Sequence, residues 1–273
     1  CVRTKAPEPF GLKANGRLHE RPHVPGDGVG ALGSGQSQAA GRMAEAGALA
    51  PHPTIGAHRS HYVGVIRHSA RLDAEEGAVW PDQAERPYDT PITDFELPAA
   101  RSADLRRFGF DRVVSSPFRR CLQTAAVLAR ELGLPEVEVH LGLGESMPEV
   151  RRCGWPGAGH ELTYLDVAGM TAILSEQGVR LGAQDGEKPG PHEVAAKRFR
   201  EVLCSMAERA ACEGSNILLV SHGDALSQAV EMTIGKVVIE LEYCSWVVMG
   251  TSLDSQASTN FIDGDGLNAL RLE

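Results

Sequence analysis

The 273-residue sequence lacks any apolar run approaching the roughly 20 residues a helix needs to cross a bilayer, which excludes a helical membrane span. It also lacks a surplus of positive charge. The formal net charge is −9, which argues against nucleic acid as a partner, so any phosphate must be held by local cations against the overall field. Its six cysteines (Cys1, Cys121, Cys153, Cys204, Cys212, Cys244) show no C-x-x-C spacing. A disulfide framework or zinc knot is therefore not expected, and a reduced, intracellular, cytoplasmic setting is. Three phosphate- or acyl-handling signatures are missing as well: C-x₅-R, G-x-x-x-x-G-K-[ST] and G-x-S-x-G. What remains is an ordinary globular composition, 42% hydrophobic and 23% charged, in a chain long enough for one large domain or two small ones.

Residues 1–58 differ from the rest. They carry 10 Gly, 6 Pro and 10 Ala with hardly a periodic apolar pattern, and six Lys+Arg against four Asp+Glu. This composition predicts a low-complexity, disordered arm. Within it "GVGALG" matches G-x-G-x-x-G at Gly28, Gly30 and Gly33. A dinucleotide site needs a strand before that motif, and Pro22 and Pro25 spoil one. The first residue, Cys1, gives no basis for judging targeting.

From residue 59 to 273 strand and helix patterns alternate. "YVGVIRH" reads as a strand, a helix is expected from about Leu97 to Phe108, and "DRVVSS" is a short strand. A helix opening at Pro117 follows, with Leu122, Ala125, Ala126, Ala129 and Leu132 on one face and Gly133 as its stop. "VEVHLGL" is strand-like, and residues 146–190 are rich in Gly and Pro, with a helical piece near 163–177. A long helix is predicted over about His192–Cys212. "NILLVSH" is a fully buried strand, "DALSQAVEMTIG" a helix and "YCSWVVM" a final strand. Such alternation predicts βαβ units: an α/β fold with a mainly parallel sheet flanked by helices on both faces. The 146–190 segment is expected as an insert over the crevice.

Three strands end in polar groups, where an open α/β sheet places its ligand. "VGVIRHSARLD" runs from Val63, Val65 and Ile66 straight into Arg67, His68 and Arg71. Cations at the end of an apolar strand are costly unless an anion meets them. "SSPFRRCLQT" puts Arg119 and Arg120 at a helix start, where cations oppose the dipole and free N–H groups favour anions. "NILLVSHGDA" ends in His222, Gly223 and Asp224. Each feature alone has an ordinary explanation, a hydrogen-bonded histidine or a solvated arginine pair. Together they predict a phosphate site.

"RHSARLD", "SSPFRRCLQTA" and "VSHGDAL", in that order, resemble the histidine phosphatase (phosphoglycerate-mutase-like) superfamily. "RHSARLD…W…RPYDTPIT" is most similar to its eukaryotic branch of ubiquitin-associated, SH3-containing phosphatases. The resemblance covers about residues 61–250, and neither accessory domain of that branch is evident. It implies that His68 is the nucleophile, carrying a phosphohistidine intermediate, with Arg67, Arg120 and His222 on the phosphate oxygens. Arg120 is favoured over Arg119 because the family arginine directly precedes the small residue of "RCLQT". Arg71 matches an extra arginine of the branch. In "VHLGLGESMPEV" the proton donor matches Glu145 best, with Glu149 as the fallback; should neither serve, Asp224, just past the third strand, is the next candidate.

The chemistry fits these roles. Phosphate monoesters are so inert that enzymes accelerate their hydrolysis by up to ~10²¹-fold, largely by positioning and cationic clamps. A histidine nucleophile must be neutral, and flanking guanidiniums favour the neutral ring. No metal and no cofactor are called for. Serine at position 69, where the family usually has Gly, is a departure; its hydroxyl offers a donor to a phosphate oxygen. The expected substrate is a phosphomonoester, small molecule or phosphoprotein, with no oligomeric state assigned. The rival readings are a catalytically weak phosphate-binding module of the same fold and a mutase-type phosphotransferase. "DGDG" at 263–266 resembles the start of a calcium loop without its closing Glu.

Overall fold

Along Val63–Ile66 and Ile217–Val220 every residue is buried, so these strands need helical cover on both faces. The computed structural model describes residues 61–81, 83–152, 162–190, 193–236, 241–252 and 258–267. The arm predicted over 1–58, with its "GVGALG", lies outside the described residues. The strands are β1 (His61–Arg67), β2 (Arg112–Ser115), β3 (Glu136–His140), β4 (Arg180–Asp185), β5 (Ile217–Ser221), β6 (Trp246–Ser252) and β7 (Ser258–Asp265). The helices are α1 (Glu96–Leu105), α2 (Arg119–Leu132), α3 (Met147–Arg152), α4 (Val167–Ser175), α5 (Ala195–Glu213) and α6 (Gly223–Ile234).

The seven strands form one sheet in the order β4-β3-β2-β5-β1-β6-β7. The β4-β3-β2-β5-β1 block is parallel, and β6 pairs antiparallel with both β1 and β7. This is the mainly parallel α/β fold that the alternation predicts. Side chains of a strand alternate between faces. Accordingly Ile66, Leu218 and Val220 join α2 and α4 in one buried cluster. Val63, Val65, Ile217 and Leu219 join α5 and α6 in the other.

Helix α2 buries every residue from Arg120 to Ala129. Each fully buried leucine there contributes about 1.5–3 kcal/mol. That exceeds the roughly 0.3–1 kcal/mol at stake when a cation stands at the wrong end of the helix dipole. The helix begins two residues later than Pro117, after Phe118, and no side chain of Phe118 caps it. Instead the Arg119 N–H donates to Asp89 Oδ1 at 2.6 Å. At the other end Gly133 adopts φ 76°, the left-handed conformation expected of its helix stop.

Several boundaries differ from expectation. "YCSWVVM" is not the last strand, because β7 follows and pairs along β6. "DGD" lies inside β7, where Asp263 and Asp265 are bound by Arg107 and Arg101. "VEVHLGL" is a strand only to His140, then turns through a single 3-10 turn at Leu141–Leu143. Within the 146–190 segment, β4 completes the sheet edge beside β3, while 153–161 lie outside the described residues. No helix among the described residues is long and apolar enough to cross a membrane.

Candidate active site

The parallel register sets the site. Arg67 pairs with Ser221 and Ser115 with Val220. His68 and His222 therefore emerge opposite each other, and Ser116, opposite Ser221, stands one residue behind them. The hydrogen bonds His68 N–H to Ser221 O (2.9 Å) and Ser116 N–H to Val220 O (2.9 Å) extend the ladder to them. Beyond β3, the neighbour of β2, the 3-10 turn delivers Gly144 and Glu145. Four adjacent strand ends thus bring together His68, Arg67, Arg120, Glu145 and His222, all predicted from sequence.

His68 is buried, its Nδ1 2.8 Å from the Ser69 carbonyl. A carbonyl only accepts, so Nδ1 carries the proton and Nε2 keeps its lone pair. Burial first, then the charges of Arg120, His222 and Arg67, hold the imidazole well below its usual range, in the neutral form. The His222 ring lies 5.5 Å from it, centroid to centroid. His222 is likewise driven well below its usual range, by burial and then by Arg120 and Arg67. Its Nε2 lies 3.0 Å from Ser116 Oγ, and its Nδ1 is 3.7 Å from Glu145 Oε2.

Arg120 has no exposed surface. A buried guanidinium costs several kcal/mol unless it is compensated. Here Nη1 donates to Tyr88 O at 2.9 Å, Nη2 to Glu145 Oε2, and the Phe118 ring lies 4.4 Å from its central carbon. The Glu145 carboxylate is thus an anion that meets the arginine at this helix start. Arg67 donates from Nη1 to Leu241 O. The Nε atoms of Arg67 and Arg120 are buried without a protein partner among the described residues. Arg71 stands further out, donating from Nη2 to Asp73 Oδ2 at 3.0 Å.

Glu149, the fallback acid, is buried and accepts from the Ser146 N–H at 3.0 Å. Ser-x-x-Glu at the start of α3 is half of a capping box, a structural use for that carboxylate. Asp224 is exposed, in the first turn of α6. Ser69 does not offer its hydroxyl to a phosphate: Oγ donates to Asp94 O at 2.7 Å, and its N–H donates to Thr124 Oγ1 at 3.0 Å.

Sequence reasoning missed the supports. Tyr88 and Asp89, in the "RPYDTPIT" stretch, hold Arg120 and the start of α2. Arg198 donates from Nε to Gly142 O (2.8 Å) and from Nη2 to Gly144 O, fixing the turn that presents Glu145. Its signal was legible, since Arg198 sits on the apolar face of its helix between Ala195 and Val202. Tyr164 packs on Phe118 at 5.6 Å, and its hydroxyl lies against Gly144, where a Cβ would come within 2.6 Å of it. Gly144 is required by that approach. Among the described residues no three His, Cys, Asp or Glu side chains are grouped to hold a metal ion.

The family described as histidine phosphatase superfamily (branch 1) matches residues 66–256. No curated protein matches the chain. A solved structure of ecdysone phosphate phosphatase from Bombix mori, in complex with tungstate, is similar at TM-score 0.57 and 17% identity, covering 74% of this chain and 92% of that one. The mycobacterial glucosyl-3-phosphoglycerate phosphatase matches at TM-score 0.45 and 16% identity, over 74% of this chain and 97% of that one. Phosphoglycerate mutase from Bacillus anthracis matches at TM-score 0.45 and 16% identity, over 78% and 98%.

Proposed function

The chain belongs to the histidine phosphatase superfamily, and from that premise we propose that it is a metal-independent phosphomonoester hydrolase acting through a phosphohistidine on His68. One observation carries the reading: a neutral histidine whose Nδ1 is tied to a carbonyl, which leaves the Nε2 lone pair for attack, beside two arginines whose buried Nε groups have no hydrogen-bond partner among the described residues.

In this reading Nε2 of His68 attacks phosphorus in line with the ester oxygen. Arg67 and Arg120 hold the non-bridging oxygens, with His222 beside them, and Arg71 adds positive field. A phosphoryl group that takes over Arg120 releases Glu145 to act as the general acid, bringing a proton to the ester oxygen. Glu145 gives that proton to the leaving alcohol. Water then attacks the phosphohistidine, Glu145 takes its proton, and phosphate and free His68 result. Such proton transfer contributes typically about 10²–10⁴-fold.

The finer assignment, to the branch of ubiquitin-associated, SH3-containing phosphatases, rests on "RHSARLD…RPYDTPIT". Within that stretch the Asp89 side chain holds the start of α2. The substrate is a phosphomonoester, small or protein-borne. Hydrolysis of p-nitrophenyl phosphate by the purified chain, with and without EDTA, tests the proposal. Turnover unaffected by EDTA is expected. No turnover would favour a binding module, and activity lost to EDTA and restored by Mg²⁺ or Zn²⁺ would point to a different chemistry.

A further inference from the structure

The arginine at the end of β1 is held from one side by a single short loop. Arg67 N–H donates to Ser245 O at 3.0 Å, and Nη1 donates to Leu241 O. Between those two contacts the Tyr243 ring lies against the guanidinium, 4.4 Å from its central carbon to the ring centroid. The same ring stands 5.8 Å from the His68 imidazole. The loop is shaped for this. Cys244 adopts φ 54°, the only positive φ of a non-glycine residue among the described residues. The left-handed region is unfavourable for a side chain with a Cβ, and persists where surrounding contacts over-determine it. Here Ser245 N–H and Oγ–H both donate to Glu242 O (3.2 and 2.7 Å), and Cys244 N–H reaches His68 O at 3.4 Å.

We infer that Tyr243 is a positioning residue for the phosphate clamp, its ring fixing the plane of Arg67 so that the Nε–Nη2 edge faces the phosphoryl group. The loop occupies Nη1 and one face of the guanidinium. The Nε–Nη2 edge has no protein partner among the described residues, and it is the edge that grips an oxyanion with two parallel hydrogen bonds. An arginine left to swing would present that edge only part of the time, and the cost would fall on phosphate binding. The aromatic face, 4.4 Å from the guanidinium carbon, carries the positioning.

The inference rests on the phosphatase reading, and the experiment separates the two. Tyr243→Leu and Tyr243→Phe are compared with wild type for KM and kcat on p-nitrophenyl phosphate and for competitive inhibition by inorganic phosphate. A thermal melt establishes that each is folded. Leu should raise both KM and the phosphate inhibition constant by roughly 3- to 30-fold, the range of a cation–π contact, while kcat changes less. Phe should stay within about 2-fold of wild type, because it keeps the ring. Should Leu fail to fold, Tyr243→Met keeps the bulk without the π face and is held to the same expectation. Unchanged constants in a folded Leu or Met variant, or an equal loss in Phe, would overturn the positioning role alone. A wild type that neither hydrolyses the ester nor binds phosphate would overturn the phosphatase reading, and this inference with it.

Discussion

Arg120 donates from Nη2 to Nδ1 of His222 across 3.2 Å. A guanidinium has no lone pair to offer, so the imidazole accepts, and the buried His222 is a neutral ring with its proton on Nε2, toward Ser116. The bond also keeps Nδ1 on the side where Arg120 meets Glu145.

Neutral burial of His68 and His222 makes stability depend on pH. Both are held well below their usual range, so between the unfolded value of ~6.5 and the lower native value only the unfolded chain takes up protons. Stability must therefore fall as pH drops below about 6.5, each ring contributing up to ~1.4 kcal/mol per pH unit. Urea unfolding at pH 7.5 and 5.5 should show the loss, and His222→Asn should make it shallower. An equal loss in wild type and variant would remove His222 from the account.

The donor role of Glu145 is testable through the leaving group. Glu145→Gln should slow alkyl phosphates by about 10²-fold or more, and p-nitrophenyl phosphate far less, since its leaving group needs little protonation. Glu149→Gln, which weakens a capping hydrogen bond, should lower thermal stability by roughly 0.5–2 kcal/mol and leave the leaving-group dependence unchanged. The reverse pattern would move the acid to Glu149, and failure of both variants would turn attention to Asp224.

Ser69→Ala separates structure from chemistry at the position where the family usually has glycine. The hydroxyl bonds Asp94 O, so its loss should cost about 1 kcal/mol of stability and leave turnover within about 3-fold. A loss of activity in a fully folded Ser69→Ala protein would mean that the hydroxyl turns to the phosphate after all.

How much of this was legible in the sequence follows from burial. β1 and β5 are apolar runs ending abruptly in Arg67-His68 and His222, and such discontinuities are visible without a structure. α2 shows its apolar face because that face is the centre of the core. β4 and β7 were not legible: both are edge strands, and "RLGAQD" leaves four of its six residues exposed, so no alternation of apolar and polar residues marks it. The supports of the site were hidden for another reason. Tyr88 serves Arg120 through its backbone carbonyl, which any residue possesses, and the Ser69 hydroxyl finds its acceptor 25 residues away. The placing of Tyr243 depends on a left-handed Cys244, a conformation that residue type does not announce.

The central claim is a covalent one, and trapping the intermediate tests it most directly. Wild-type protein mixed with a ³²P-labelled phosphomonoester and quenched within the first turnover should carry phosphate that is stable to base and labile to acid. The label should sit on Nε2 of His68, the nitrogen left free by the bond from Nδ1 to Ser69 O. His68→Ala, folded by circular dichroism, should carry no label and show no turnover. Label on Ser69 or on any residue other than His68, or near-normal turnover in His68→Ala, would contradict the account.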